Sequence, residues 1–306
     1  MGGMISTRVA YGDALARLGE ENERVVVLDA DLSHATMTAA FAEKFPDRFF
    51  NAGIAEANMV DMGAGLSAMG YIPFCSTFAI FGAGRAYEQV RNGVAYPGLN
   101  VKLGMTHAGI TLGEDGGSHE SIEDLALMRV IPGMTILSPC DANETRKAVE
   151  AASRIDGPVY LRLARLPSQV FEDMPFEVGK ANVIRDGYDM AVFTTGVILS
   201  NVLEAVGALE AEGHSIAVIN VHTIKPMDVE CVRRFADQCP KLVTVEEHSI
   251  IGGLGDAVMD AEAGRRQVIK LGVRDRFGQS GKPEDLLEEY GLSTSRIKEQ
   301  LGQELM

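Results

Sequence analysis

The chain reads as an α/β protein made of two consecutive three-layer α/β/α domains with mostly parallel sheets. Three observations carry this reading. Short apolar runs alternate with helical segments rich in small residues. The runs are continuous rather than alternating with polar residues, as in strands buried on both faces. The alternation also lapses once, in an acidic, Pro-containing stretch, and then restarts. At 306 residues the chain is long enough for two domains, each with its own core.

In order, strands are expected at Val25–Leu28, Arg48–Asn51, Val101–Met105, Thr135–Leu137 and Pro158–Leu163. Helices fall between them at Tyr11–Leu18, Glu56–Met69, Arg85–Ala95, Ile122–Val130 and Ala142–Ile155. The lapse runs from Leu166-Pro167-Ser168 to Pro175-Phe176-Glu177. It divides the chain into a domain at 1–166, a linker at 167–180 and a domain at 181–306. The second domain repeats the pattern with strands at Met190–Thr194, Ile216–Val221, Lys241–Val245 and Val268–Val273, and helices near Ser200–Glu212 and Asp228–Gln238. No repeat or low-complexity segment interrupts either half.

Composition excludes several functions. The hydrophobic share of 46% with 23% charged residues is that of a globular enzyme rather than a disordered chain. Against 43 Asp and Glu stand 28 Lys and Arg, a net charge of −15 that repels nucleic acid and anionic membrane surfaces. An anionic substrate therefore needs a local arginine cluster. Cys75, Cys140, Cys231 and Cys239 have neither metal-site spacing nor the density of a secreted framework, and read as reduced, mostly buried thiols. No apolar run approaches the ~20 residues of a membrane span, and no signal pattern opens the chain. Met1-Gly2-Gly3 ahead of Met4 reads as a remnant before the natural start. The expected location is cytoplasmic.

The most informative stretch is Phe50-Asn51-Ala52-Gly53-Ile54-Ala55-Glu56-Ala57-Asn58-Met59. It sets a lone carboxylate, Glu56, past the end of an apolar strand and at the start of a small-residue helix. Taken alone, such a glutamate serves the helix dipole. Further on come Ser76-Thr77-Phe78, Thr106-His107, the Gly-rich Leu112-Gly113-Glu114-Asp115-Gly116-Gly117-Ser118-His119, and Ser249-Ile250-Ile251-Gly252-Gly253-Leu254-Gly255. Glycines let backbone approach a ligand closely, and loops at strand ends carry function.

Together these runs, in this order and over nearly the whole chain, resemble the pyrimidine-binding and C-terminal domains of the thiamine-diphosphate enzymes of the transketolase group. That group includes transketolase, deoxyxylulose-phosphate synthase and the beta subunits of 2-oxo-acid dehydrogenases. The resemblance implies that Glu56 hydrogen-bonds N1′ of the cofactor's aminopyrimidine and so activates it. Phe78 and Phe81 would stack on that ring, although the third aromatic of the transketolase pattern is replaced here by Gly84. Asp31 and Leu32 match an "ADL" element that touches the cofactor, while the plain reading of Asp31 is a turn residue capping the next helix. Ile54, in the glutamate motif, is a further expected cofactor contact.

For the substrate, the resemblance places His119 at the reacting carbonyl and hydroxymethyl end, Asp115 at the neighbouring hydroxyl, and His107 toward the sugar-phosphate end. Arg8 and Arg165 match two arginines that hold the substrate phosphate, a task suited to a planar guanidinium. Without the family they would read as surface ion pairs. A serine that assists there is replaced near Ala35, with Thr36 as the available substitute, and Ala108 stands where an Asp usually follows the first His. The Gly252–Gly255 run lacks the Lys-Ser/Thr of a phosphate loop and reads as a structural turn. His34, His214, His222 and His248 receive no role.

Nothing in the chain matches the Gly-Asp-Gly…Asn motif by which the group holds Mg²⁺ (or Ca²⁺) and the cofactor diphosphate, and no metal site is expected here. The chain thus resembles the C-terminal subunit of a split transketolase. Its partner, an N-terminal subunit, would carry that motif in an α2β2 assembly built around a two-fold dimer. The expected activity is ketol transfer between sugar phosphates through thiamine diphosphate, absent without the partner. The alternative is a deoxyxylulose-phosphate-synthase-like or 2-oxo-acid dehydrogenase beta-type subunit, favoured by Ala86-Tyr87-Glu88-Gln89-Val90.

Overall fold

In the computed structural model the described residues are 3–306; Met1 and Gly2, in the expected remnant, lie outside them. The first half runs β1 (Met4–Ser6), α1 (Thr7–Glu21), β2 (Val25–Asp29), α2 (Ser33–Thr36), α3 (Ala39–Lys44), β3 (Phe49–Asn51), α4 (Glu56–Ala68) and β4 (Ile72–Phe78). It continues through β5 (Lys102–Thr106), α5 (Asp124–Arg129), β6 (Thr135–Leu137), α6 (Ala142–Arg154), β7 (Val159–Arg162) and β8 (Pro167–Gln169). Between β4 and β5 the chain winds through two π-helical stretches, Ile80–Arg85 and Gln89–Ala95, where one ordinary helix was expected.

The second half runs β9 (Asn182–Arg185), β10 (Met190–Thr194), α7 (Leu199–Glu210), β11 (Ile216–Asn220), β12 (Thr223–Lys225) and α8 (Val229–Gln238). It ends with β13 (Leu242–Ser249), α9 (Leu254–Glu262), β14 (Val268–Val273), α10 (Pro283–Glu289) and α11 (Thr294–Leu305).

The α/β class with mostly parallel sheets is what forms. A seven-stranded sheet has the order β12-β6-β7-β5-β4-β2-β3, and a five-stranded sheet the order β14-β13-β10-β11-β9. All pairs within them are parallel except the edge pairings of β12 on β6 and β9 on β11. Strands β2, β4, β5 and β7 are buried at every position, as expected of strands covered on both faces.

The halves are more interlocked than two separate domains. Strand β12, from the second half, closes one edge of the first half's sheet. One apolar cluster runs from Val26, Leu28 and Met59 of the first half to Phe193, Ile219 and Phe235 of the second. The stretch at 167–180 is tied down as well: β8 pairs antiparallel with β1, and the Phe171 amide donates to Asp141.

Candidate active site

From β2 the chain crosses to β3 on one side, while from β4 it proceeds to β5 on the other. The sheet therefore has a switch point between β2 and β4, and crevices in such sheets open at the carboxyl ends of the strands there. Phe78 ends β4, and Asp31, Glu56, His107 and Arg165 follow the carboxyl ends of β2, β3, β5 and β7. Thr7 docks the first turn of α1 on the same edge, since its hydroxyl accepts from the Ala164 amide at 2.7 Å. Helix α1 lies close because β5 has glycine at 104: a Cβ there would stand 1.9 Å from the Tyr11 hydroxyl oxygen.

Glu56 begins α4 after a turn in which Gly53, at φ 72°, donates its amide to Asn51. The Glu56 side chain is only 2% exposed. Both its oxygens accept from a single nitrogen, Nη1 of Arg85, at 3.1 and 3.0 Å. Arg85 itself is 54% exposed and lies over the Phe81 ring, 4.9 Å from its centroid. Phe81 stacks on Phe78 with centroids 5.8 Å apart and planes 9° apart, and takes the edge of His119 at 5.4 Å. Phe78 in turn stacks on His107 at 3.8 Å.

His107 sits at φ 60° and bonds Thr106 through Nδ1 at 2.8 Å, while its Nε2 faces Arg8 Nη1 at 3.4 Å. Burial foremost, and then the charges of Arg8 and Arg165, push this imidazole down to about 3. It is therefore neutral near pH 7. Nε2 then accepts from Arg8 and Nδ1–H donates to Thr106. Arg8 also donates to the Ala35 carbonyl at 2.8 Å, and Arg165 to that of Leu112 at 2.7 Å. Burial and the proximity of Arg165 both lower the Arg8 pKa. Two like charges held this close are suited to an anion.

The structure thus joins Glu56, Phe78, Phe81, His107, His119 and Arg8 in one run of contacts through Arg85, with the charge of Arg165 near enough to act on Arg8 and His107. It leaves others at the margin. Asp115 is exposed on the Gly-rich loop, Ile54 is 77% exposed, and Asp31 is exposed and accepts from Asn51 at 2.9 Å. The capping part belongs to Asp29 instead, whose carboxylate accepts from the Leu32 amide and from Thr36 and Thr38. That bond also corrects the expectation for Thr36: it is wholly buried against Asp29 and is not free to replace the serine near Ala35. The Gly252–Gly255 turn is structural. The Leu254 and Gly255 amides are both taken by the buried Glu246 carboxylate.

Sequence reasoning missed Arg85, whose only cue was its place in a helical segment. It also missed Glu120, next to His119 and 2% exposed, and the buried pair of Arg162 and Asp124. A cleft of about 600 Å³ is lined by Arg24, Ile72 and Asn100 at the opposite, amino-terminal edge of the sheet. It holds none of these residues, and the chemistry lies elsewhere. Among the described residues no group of three or more His, Cys, Asp or Glu side chains is placed to hold a metal ion, and no helix is long and apolar enough to cross a membrane.

The chain matches the family model for the transketolase pyrimidine-binding domain over residues 3–168 and that for the transketolase C-terminal domain over 179–297. It is 45% identical to a provisionally named transketolase C-terminal section of Methanocaldococcus jannaschii, over 97% of this chain and 96% of that one. It is 41% identical to the 6-deoxy-6-sulfo-D-fructose transketolase subunit SqwH of a Clostridium species, over 95% and 91%. With human transketolase it shares 37% identity over 97% of its own length but only 48% of the relative's. The solved structure described as a split-gene transketolase, an inactive beta4 tetramer, superposes with a TM-score of 0.91 at 48% identity, covering 98% of each chain. Fold and family together define a protein of the thiamine-diphosphate-dependent transketolase class. The chain belongs to the transketolase family and corresponds to the C-terminal section of a split transketolase.

Proposed function

We propose that this chain, with a separate N-terminal subunit, transfers a two-carbon ketol unit from a ketose phosphate to an aldose phosphate. The supporting observation is the unbroken run of contacts from Glu56 through Arg85, Phe81 and Phe78 to His107 and Arg8. A buried carboxylate beside two parallel rings fits an aminopyrimidine, which needs an acceptor at one edge and an aromatic face to stack on. Bound thiamine diphosphate supplies the nucleophilic carbon and the electron sink for cleaving the bond beside the ketose carbonyl.

Each residue of the chain then has a task. Glu56 holds the proton at N1′, and because it opens a rigid helix its aim is fixed to the precision that such a transfer needs. Phe78 and Phe81 set the tilt of the ring. His119, braced by Ser118 at 2.9 Å, faces the carbonyl end of the substrate, where Asp115 reads the adjacent hydroxyl. His107, uncharged, contributes hydrogen bonding without adding positive charge. Arg8 and Arg165 take the terminal oxyanion. One relative is named for 6-deoxy-6-sulfo-D-fructose, a sugar that ends in a sulfonate rather than a phosphate, and guanidinium pairs suit either group. Asp31 and Ile54, open on this single chain, and Leu32, half-buried, would meet the cofactor from the subunit boundary.

The diphosphate and its Mg²⁺ (or Ca²⁺) would be held by the partner, because the Gly-Asp-Gly…Asn motif is absent from this sequence. The assembly would be α2β2, and the chain alone would not turn over. The second reading, a synthase-like or dehydrogenase beta-type subunit, draws on Ala86-Tyr87-Glu88-Gln89-Val90. A test of both is to isolate the chain with its co-purifying partner and assay ketol transfer against 2-oxo-acid decarboxylation. Glu56→Gln should abolish turnover and leave assembly intact; surviving activity would overturn the mechanism.

A further inference from the structure

The Glu56 carboxylate is buried, yet its cation comes from solvent. Arg85 is more than half exposed and binds with one nitrogen only, leaving the rest of its guanidinium uncommitted to Glu56. A buried carboxylate left unpaired would be costly, and the chain by itself must supply a counter-charge. The way it does so is informative. Arg85 presents a planar group that donates N–H to Glu56 and lies against the Phe81 face. Those are the two contacts that an aminopyrimidine would make on the reading given above, and both cannot be made at once.

The backbone is suited to an exchange. Arg85 closes the π-helical stretch Ile80–Arg85, in which Gly82 and Gly84 occupy two of six positions, and single π-turns are rare and frequent at functional sites. Gly84 is open on its flank, with only the Ile80 side chain near a Cβ placed there, at 3.9 Å.

We propose that Arg85 is a displaceable placeholder: it occupies the pyrimidine position on Glu56 and Phe81 in the cofactor-free chain and swings out to solvent when the cofactor enters. Arg85 thereby keeps the Glu56 end of α4 in shape before assembly, and it weakens cofactor affinity because its ion pair must be broken on binding. This inference rests on Glu56 being the partner of N1′.

The test uses the complex with its co-purifying partner, with thiamine diphosphate and Mg²⁺ titrated by calorimetry. Arg85→Ala should bind thiamine diphosphate about five-fold or more tighter, roughly 1 kcal/mol, and addition of cofactor to the wild type should raise amide exchange across Ile80–Arg85. Unchanged or weaker binding by Arg85→Ala would overturn the placeholder role. Glu56→Gln separates the two ideas. If it leaves thiamine diphosphate affinity untouched, the assignment of Glu56 fails, whatever Arg85 does. In melts of the isolated chain, Arg85→Ala should lower Tm and the double variant with Glu56→Gln should recover it; additive losses would also sink the proposal. If Arg85→Ala does not fold, Arg85→Gln serves for both arms.

Discussion

Phe78 and His107 lie ring against ring, with centroids 3.8 Å apart and planes 25° apart. Phe78 ends β4 and His107 follows β5, and the pairing of these strands sets Phe78 opposite Thr106. The residue assigned to the cofactor ring thus packs on a residue assigned to the substrate, and a change in either is felt by both.

Burial in this packing and the two arginines nearby hold His107 uncharged. Its folded pKa of about 3 lies below the 6.5 of a free imidazole, through burial first and then Arg8 and Arg165. Above about pH 6.5 both folded and unfolded chains carry it neutral. As the pH falls from there toward 3, the unfolded chain takes up a proton that the folded one refuses, and stability is progressively lost. Histidine NMR at about pH 5 should find the His107 ring neutral, and His107→Gln should flatten the acid-side decline in urea stability. A protonated ring at that pH would refute this account.

Arg8 and Arg165 should act on binding rather than turnover. Each charge-assisted contact is worth roughly 1.5–3 kcal/mol, so Arg8→Ala should raise KM for an anionic ketose by about 10- to 100-fold. Arg165→Ala should do less, since that side chain is 39% exposed and its charge is better screened by water. The KM of an uncharged ketose should barely move. A fall in kcat of the same size instead would place these arginines at the reacting end.

The pair Arg162 and Asp124 is buried on both sides and bonded at 2.9 and 3.2 Å. Tyr160 donates to the same carboxylate, and Arg162 also donates to the Glu247 carbonyl of β13, crossing between the sheets. Asp124→Ala strands a guanidinium and should cost about 3–5 kcal/mol in urea unfolding. Pairing it with Arg162→Met should return much of that loss. A single variant within about 1 kcal/mol of wild type would show the pair to be dispensable.

Glu120 is wedged between the Gly-rich loop and the segment around Gly278, where a Cβ on Gly278 would overlap its carboxylate. Burial foremost, with Glu247 nearby, raises its pKa from 4.5 to about 7. The folded chain then favours the protonated form. Its contribution is complete below about pH 4.5 and is lost as the pH rises through 7. Glu120→Gln should raise Tm at about pH 8 and leave it unchanged at about pH 4.5, as scanning calorimetry would show. Equal effects at both pH values would argue against it.

Strands with long apolar or β-branched runs were legible from sequence; β10 and β14 have the expected bounds. Strand β4 was not foreseen, although it is central and buried throughout, because Pro73, Ser76 and Thr77 dilute its run. Strand β12 is three residues long and is defined only by the edge it completes. Helices α10 and α11 were also passed over, since their apolar positions are few.

The sequence by itself determined the class of fold and the kinds of chemical group available. Periodicity, capping and turn preference act over a few residues, and the order of motifs along the chain identifies the family. Only the tertiary structure decided which groups meet. Arg85 and Glu56 are 29 positions apart, and Arg8 and His107 are 99 apart. Their contacts depend on strand order and on how closely helices approach the sheet, quantities that no local pattern encodes. Arg85 therefore looked like any helical arginine until the fold laid it across the buried Glu56 carboxylate.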